Sequence, residues 1–362
     1  MNTISFAKGP YRAGNGDFAT AGSARFSTID TLAAPFVKVE IGTSDFHRLV
    51  AAGSTKLGGG TLLPGGEARY DDGPFELPQD LQLFSGFAKW TGPPGGGTLR
   101  ASATGYRVDF RSPEQVPLRA IESGLIDRLG FLDGDLGGET TRIGGVLNWT
   151  DDATAPLNLL GYAHFYDFRL TSNFTYFLDN PVDGDEFEQR ERRTVVGGRI
   201  DKRFNLNVGA PVDLLVGAEG RCDCIDRVGL YQTAAREILS KVRQDQVDEG
   251  SGAVFAEATI QPIPQLRVLP GVRADSYLFD VDSDILVNSG KDTAGIVSPK
   301  ASIACTPIEQ LELYADHGLG FHSNDARGTS IDPNTGDAPD GVDPLVAGTG
   351  YEGGAGRAHC AA

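Results

Sequence analysis

Five histidines, four cysteines and several clusters of carboxylates are the side chains of this 362-residue sequence best able to hold a metal or attack a substrate. Their spacing defeats most such uses. His47, His164, His317, His322 and His359 contain neither an H-E-x-x-H nor an H-x-x-x-H pair, so no helix turn presents two imidazoles to one zinc ion. Cys222, Cys224, Cys305 and Cys360 have no zinc spacing and no disulfide framework. Cys222 and Cys224 point to the same side of a strand, a poor geometry for bonding to each other. There is no G-x-S-x-G nucleophile turn and no phosphate-binding G-x-x-x-x-G-K-[ST] loop. Gly14 to Ala19 fits G-x-G-x-x-A, but the following ARFST alternates as a strand does, and the nucleotide fingerprint needs a helix there. Paired carboxylates fall only in segments read as loops, without a scaffold to fix a glycosidase separation. The residues therefore predict no catalytic group, no resident metal and no cofactor.

The acidic clusters lie at Asp71 and Asp72, Asp179 to Glu191, Asp280 to Asp284 and Asp332 to Asp343. In the second, Asp179, Asp183, Asp185 and Glu186 suggest a calcium loop, but Pro181 and Arg190 stand where an EF-hand needs an acidic or amide residue and a glutamate. Asp179, Asp183 and Asp185 remain candidates for ligand contact from a loop, as do Asn324, Asp325 and Arg327. A net charge of −17 with no basic stripe excludes a nucleic-acid partner held through its phosphates.

The elements that must position these residues alternate with period two. Strands are predicted near 35–43, 46–55, 61–70, 81–91, 98–110, 139–150, 157–170, 193–205, 213–221, 252–261, 265–281, 294–305 and 309–321. Short Gly or Pro turns alternate with long polar connections, among them Arg111 to Gly138, Ser172 to Arg192 and Asp223 to Gly250. Short connections on one rim and long ones on the other are the asymmetry of a membrane barrel. Such strands need only about 10 alternating residues, and no segment approaches the ~18 to 20 apolar residues of a spanning helix. In 265–281, Leu266, Val268, Val272, Ala274 and Leu278 share one face. Arg267, Arg273 and Asp275 share the other. In 309–321, Leu311, Leu313, Ala315, Leu319 and Phe321 oppose Glu312, Tyr314 and Asp316, with His317 an exception on the apolar side. The six polar residues Arg267, Arg273, Asp275, Glu312, Tyr314 and Asp316 are expected to line a hydrated interior. Tyr162, Tyr166 and Phe168 fall together, as an interfacial aromatic girdle would, although His164 shares their face.

Two stretches carry a resemblance. GDFATAG (Gly16 to Gly22) and GFHSNDARG (Gly320 to Gly328), the latter following an SPKAS…ELY hairpin, occur in the order in which similar motifs occur in TonB-dependent outer-membrane receptors. The resemblance implies an all-β, antiparallel transmembrane β-barrel, incomplete at roughly 13 of the family's 22 strands. It divides the chain into the tail of a plug domain (1–32), a partial barrel (33–350) and an aberrant tail (351–362) ending GGAGRAHCAA. It implies active uptake, in the outer membrane, of a scarce ligand such as a ferric siderophore, vitamin B12 or an oligosaccharide. The partners would be the TonB–ExbB–ExbD complex, a small-molecule or metal-chelate ligand and outer-membrane lipid. No secretory leader or TonB box is visible, so the reading is of a fragment. Its open sheet edges would cost several kcal/mol for each unpaired backbone group in lipid and prevent stable insertion alone. A passive porin-like barrel and a soluble all-β carbohydrate-binding or hydrolase protein are the alternatives.

Overall fold

The computed structural model describes residues 3–331 and 342–356. Near the N-terminus, β1 (Thr3–Lys8) and β2 (Gly22–Ser27) form a two-stranded sheet. A second sheet holds all the other strands. It begins with β3 (Phe36–Ile41), β4 (His47–Ala52), β5 (Thr55–Leu57), β6 (Gly60–Asp71), β7 (Leu81–Gly92) and β8 (Gly97–Arg111). It continues through β9 (Gly137–Asp151), β10 (Leu157–Ser172), β11 (Phe187–Asn207), β12 (Pro211–Ala234) and β13 (Glu237–Ile263). It ends with β14 (Leu266–Ser283), β15 (Gly290–Ile308), β16 (Leu311–Ser323) and β17 (Leu345–Gly356). Sequential neighbours pair antiparallel throughout, and β5 continues β4 against β6. Two short helices, α1 (Leu118–Glu122) and α2 (Ala326–Thr329), lie in the long connections after β8 and β16.

The alternation of each strand is fixed by what its side chains meet. Lys89, Arg199, Arg273 and Lys300 all reach residues 9–30 and so define an inner face. Residues one position away face outward. On that outer side Ile143, Leu147, Val254, Val272 and Leu278 are 46% to 61% exposed. Large apolar side chains left exposed on one face of several strands suit lipid on that side. Trp90 and Trp149, the only tryptophans of the chain, also face outward, at the short-turn rim. Their indole N–H groups donate to the carbonyls of Leu57 at 2.8 Å and Pro94 at 3.2 Å. A ring that is apolar over most of its surface and hydrogen-bonded at one edge belongs at a headgroup boundary. Where the wall is inserted in vesicles, its tryptophan emission is therefore expected to be quenched more strongly by lipids brominated near the glycerol than by lipids brominated at mid-chain. Stronger mid-chain quenching would refute this placement.

Several expectations are corrected. The polar stretch expected between Asp223 and Gly250 is a continuous hairpin: β12 and β13 stay paired up to Ala234 and Glu237. Three register shifts, after Ile225, Leu230 and Gln232, break the period-two pattern that would have revealed it. The hairpin turns on Ala235 and Arg236, both with positive φ, the geometry of a tight primed turn. Glu186 supports that turn by accepting from the Arg236 N–H at 2.9 Å. The chain continues as strand beyond the expected boundary at 350, because β17 pairs with β16 as far as Gly356. Residues 357–362 lie outside the described residues, as do positions 332–341 of the expected acidic cluster. The Tyr162, Tyr166 and Phe168 face is not an outer girdle. Tyr162 lies on the inner side with Asn158 and Leu160, and Tyr166 pairs with inward Arg193. Phe321 leaves the apolar outer row of β16. β16 separates from β15 beyond Gly318, and Phe321 is buried with Tyr277, Phe279, Val281 and Ala326.

Candidate functional site

The inner face grips the segment between β1 and β2 through charged side chains. Glu257 receives the Ala13 N–H at 2.9 Å and pairs with Arg12 at 3.0 Å. Arg199 donates to the Gly14 carbonyl at 2.7 Å, and its guanidinium lies 4.5 Å from the centre of the buried Phe255 ring. Lys300 donates to the Pro10 carbonyl at 2.6 Å and to the Leu319 carbonyl at 3.0 Å. Asp17 accepts from the N–H and hydroxyl of Ser323 at 2.7 and 2.6 Å. Further along, Lys89 donates to the carbonyls of Thr28 and Ile29 and pairs with Asp30 at 2.7 Å. A segment without a regular partner strand thus has its carbonyls satisfied by barrel cations, as buried backbone requires.

Glycines allow the close approach. A Cβ at Gly16 would sit 2.5 Å from the Arg273 guanidinium, and one at Gly318 would sit 2.6 Å from the Pro10 carbonyl oxygen. Arg273 is itself held. Its Nε and Nη2 donate to Asp275 at 2.7 to 2.9 Å, and Nη2 also meets Glu219. Both Arg273 and Asp275 are buried.

Above the grip lies an open cavity of about 1450 Å³. It is lined by Arg193, Arg221 and Asp223 from the strands and by Asn324, Asp325 and Arg327 from the connection after β16. Arg221 and Asp223 pair at 2.6 Å. Asp325 caps α2 by accepting the Arg327 N–H at 2.9 Å and pairs with the Arg327 guanidinium at 2.6 Å. Burial pushes the Asp325 carboxyl upward, but these donors outweigh it and hold the group below its ordinary range.

The structure brings five of the twelve sequence candidates to this cavity: Arg273, Asp275, Asn324, Asp325 and Arg327. Arg267, Glu312, Tyr314 and Asp316 do not line it. Arg267 and Glu312 approach to 3.7 Å, Tyr314 donates to Glu352 at 3.3 Å, and Asp316 lies opposite Glu352 in the β16–β17 pairing. Asp179, Asp183 and Asp185 lie in the connection between β10 and β11, away from the cavity. Asp185 accepts the backbone N–H groups of Leu178, Asp179 and Asn180 at 2.7 to 3.2 Å. Burial raises this carboxyl, and the three amides together with the Thr175 hydroxyl overcome that and lower it. Asp185 closes a turn, and its stabilising role is complete above the ordinary carboxyl range and lost as pH falls through the depressed value. For Asp185→Asn, amide exchange at 178–180 is expected to quicken about ten-fold, from loss of charge-assisted bonds. Unchanged exchange would refute the assignment.

Sequence reasoning missed Arg199, Glu219, Glu257 and Lys300, although the alternation that marked Arg273 and Asp275 is present in Arg199, Asp201 and Arg203. It also missed a carboxylate group assembled from distant positions. Asp133, Asp135 and Glu186 each place an oxygen within 4.8 Å of the others.

A family model described as TonB dependent receptor-like, beta-barrel, matches residues 54–355. The chain belongs to the TonB-dependent receptor family. Among curated proteins none matches. Solved TonB-dependent receptors and transporters share the fold at low identity. The ferric citrate transporter FecA aligns with a TM-score of 0.71 at 13% identity, over 88% of this chain and 49% of its own. The copper transporter OprC gives 0.70 at 15%, over 97% and 56%. The ferric yersiniabactin uptake receptor FyuA of Yersinia pestis gives 0.70 at 13%, over 99% and 57%. The chain spans about half the length of these relatives. Its large sheet is the wall of a TonB-dependent receptor barrel, and among the described residues the wall is not closed: β3 and β17 are its two edges. The family is one of receptors and transporters rather than enzymes.

Proposed function

We propose that the protein serves TonB-dependent uptake of a metal chelate, such as a ferric siderophore, across the outer membrane. Residues 1–32 would be the end of its plug and 33 onward its barrel wall. The observation that carries this reading is the grip of Glu257, Arg199 and Lys300 on residues 10–14. Each of these bonds joins a charged side chain to backbone, and each is worth about 1.5 to 3 kcal/mol net, because water replaces it when it opens. A mechanical pull transmitted by TonB, energised through ExbB–ExbD, can therefore open them one after another without unfolding the wall.

The choice of a metal chelate is supported by the relatives, whose names specify ferric citrate, copper and ferric yersiniabactin. It is also supported by the cavity. Arg193, Arg221 and Arg327 offer planar donors to a chelator's carboxylate or phenolate oxygens. The test expresses the gene in a Gram-negative host lacking its own ferric-chelate receptors and measures radioiron uptake with and without TonB. TonB-dependent accumulation is expected. Uptake unaffected by loss of TonB would favour a passive barrel, and no uptake with any chelate, in cells whose outer membrane is shown by fractionation to hold the protein, would refute the ligand class.

A further inference from the structure

Three segments of the long-connection rim are joined at one point. Arg236, at the tip of the β12–β13 hairpin, directs its guanidinium to the carbonyls of Asp135 and Leu136 in the connection after β8. Its N–H donates to Glu186, at the end of the connection after β10. Asn173, at the start of that second connection, donates to Asp133 at 3.1 Å. The two connections thereby bring Asp133, Asp135 and Glu186 together, each with a carboxylate oxygen within 4.8 Å of the others.

Their charge is not balanced. Among the described residues no Lys or Arg lies within ion-pair distance of any of the three, because the Arg236 guanidinium is taken by carbonyls. Glu186 is only 3% exposed, and a buried carboxylate without a cation is costly. One of its oxygens accepts the Arg236 N–H at 2.9 Å, and the other has no donor among the described residues. A neutral group beside it is also unsatisfied. The register of β11 and β12, with Phe187 opposite Gln232 and Glu188 opposite Tyr231, continues one residue further, where the Thr233 N–H donates to the Glu186 carbonyl at 2.9 Å. Glu186 and Thr233 are therefore cross-strand neighbours on one face. Thr233 is fully buried, and its hydroxyl has no hydrogen-bond partner. A carboxylate and a hydroxyl buried side by side, neither satisfying the other, call for a ligand that takes lone pairs from both.

The donors select that ligand. All are oxygens, without imidazole or thiolate, which suits a hard cation. Two oxygens on one calcium ion lie at most twice the metal–oxygen distance apart, about 4.6 to 5.2 Å, and the three carboxylates meet that limit as they stand. Calcium takes about six to eight oxygens in flexible geometry, so four protein donors leave the remaining positions to water. Magnesium demands a near-ideal octahedron and gives up its own waters reluctantly, so a cage of several carboxylates suits it less.

We propose that Asp133, Asp135, Glu186 and Thr233 hold a calcium ion that fastens the connections after β8 and β10 to the tip of the β12–β13 hairpin. None of the four lines the large cavity, so the site does not depend on what the protein transports.

The test takes the 362-residue chain in detergent micelles, freed of metal by a chelator and shown by circular dichroism to be all-β, and titrates it with calcium chloride in a calorimeter. One ion is expected to bind with a Kd of about 10⁻⁴ M, the affinity of extracellular calcium modules, and magnesium about ten-fold more weakly or worse. Glu186→Gln, which keeps an acceptor for the Arg236 N–H, and Asp133→Asn/Asp135→Asn should each weaken calcium binding about ten-fold or more, and Thr233→Val about three-fold. The aspartate pair occupies half-buried and exposed positions and decides the matter if Glu186→Gln fails to fold. Asp179→Asn/Asp183→Asn, which removes charge from the same connection outside the cluster, should bind as wild type does. Trypsin gives a second reading at the site itself. Cleavage after the exposed Arg236, relative to cleavage after Arg203 in the wall, should slow about five-fold with calcium in wild type and stay constant in Glu186→Gln. No binding up to about 10 mM calcium, ten times the weakest of those modules, would overturn the proposal. Equal affinity for magnesium would overturn it too, as would wild-type affinity in any of the three site variants. Equal weakening by Asp179→Asn/Asp183→Asn would do the same, since it would mean that calcium is drawn to the acidic connection at large.

Discussion

Arg273→Met is expected to destabilise the chain by about 3 to 5 kcal/mol, because it leaves a buried carboxylate without its counter-charge. Among the described residues Asp275 has no other cation within ion-pair distance, and both of its oxygens are bonded to the Arg273 Nε. Glu219 is less affected, since Arg199 stays 3.5 Å away and continues to pair with it. That asymmetry yields a sharper expectation. Arg273→Met/Asp275→Leu removes both buried charges and should recover most of the loss, because replacing a buried ion pair by apolar groups of similar volume is close to neutral. The measurement is the guanidinium unfolding midpoint in detergent micelles, followed by tryptophan emission. A single variant as stable as the double would show that Asp275 is neutralised in some other way, and the account of the inner wall would fail.

The pair also shows what the sequence made legible. Arg273 and Asp275 were visible because β14 keeps strict alternation, with no register shift against β15 from Leu266 to Val281. One face then reads as apolar and the other as charged. β12 and β13 are longer strands, yet the sequence of their upper halves resembles a loop, because three bulges shift the alternation within a few residues. β17 was hidden for a different reason. Gly348 and Gly350 face the N-terminal segment, and a Cβ at either would lie within 3.4 Å of Thr20 or Pro10. Close approach of another segment accounts for these two glycines, and with Gly353, Gly354 and Gly356 the strand has few side chains from which a pattern could be read. The residues that hold the segment, Glu257 and Lys300 among them, are single charges in otherwise ordinary strands. Only the tertiary arrangement, which puts them across from backbone carbonyls and amides more than two hundred positions away, gives them a role.

Glu257 accordingly offers the most direct test of how the N-terminal segment is held. Its two oxygens take the Ala13 N–H and the Arg12 guanidinium, so Glu257→Ala removes two contacts with one substitution. It also leaves Ala13, which is fully buried, with an unpaired amide. Hydrogen bonds to a charged group contribute about 1.5 to 3 kcal/mol each, so opening of the segment should become at least ten-fold more frequent. Trypsin reports this. Arg12 is half exposed even when paired, and cleavage after it follows the population of the open form when opening is fast relative to cutting. Glu257→Gln keeps an acceptor for the Ala13 amide but loses the ion pair, and should fall between wild type and Glu257→Ala. Cleavage after Arg203, which lies in the wall and pairs with Asp213 at 2.9 Å, should stay constant across the series. If both sites quicken together, Glu257 stabilises the whole barrel and not the grip. If neither quickens, Arg199 and Lys300 hold the segment without it, and the clamp acts through its cations alone.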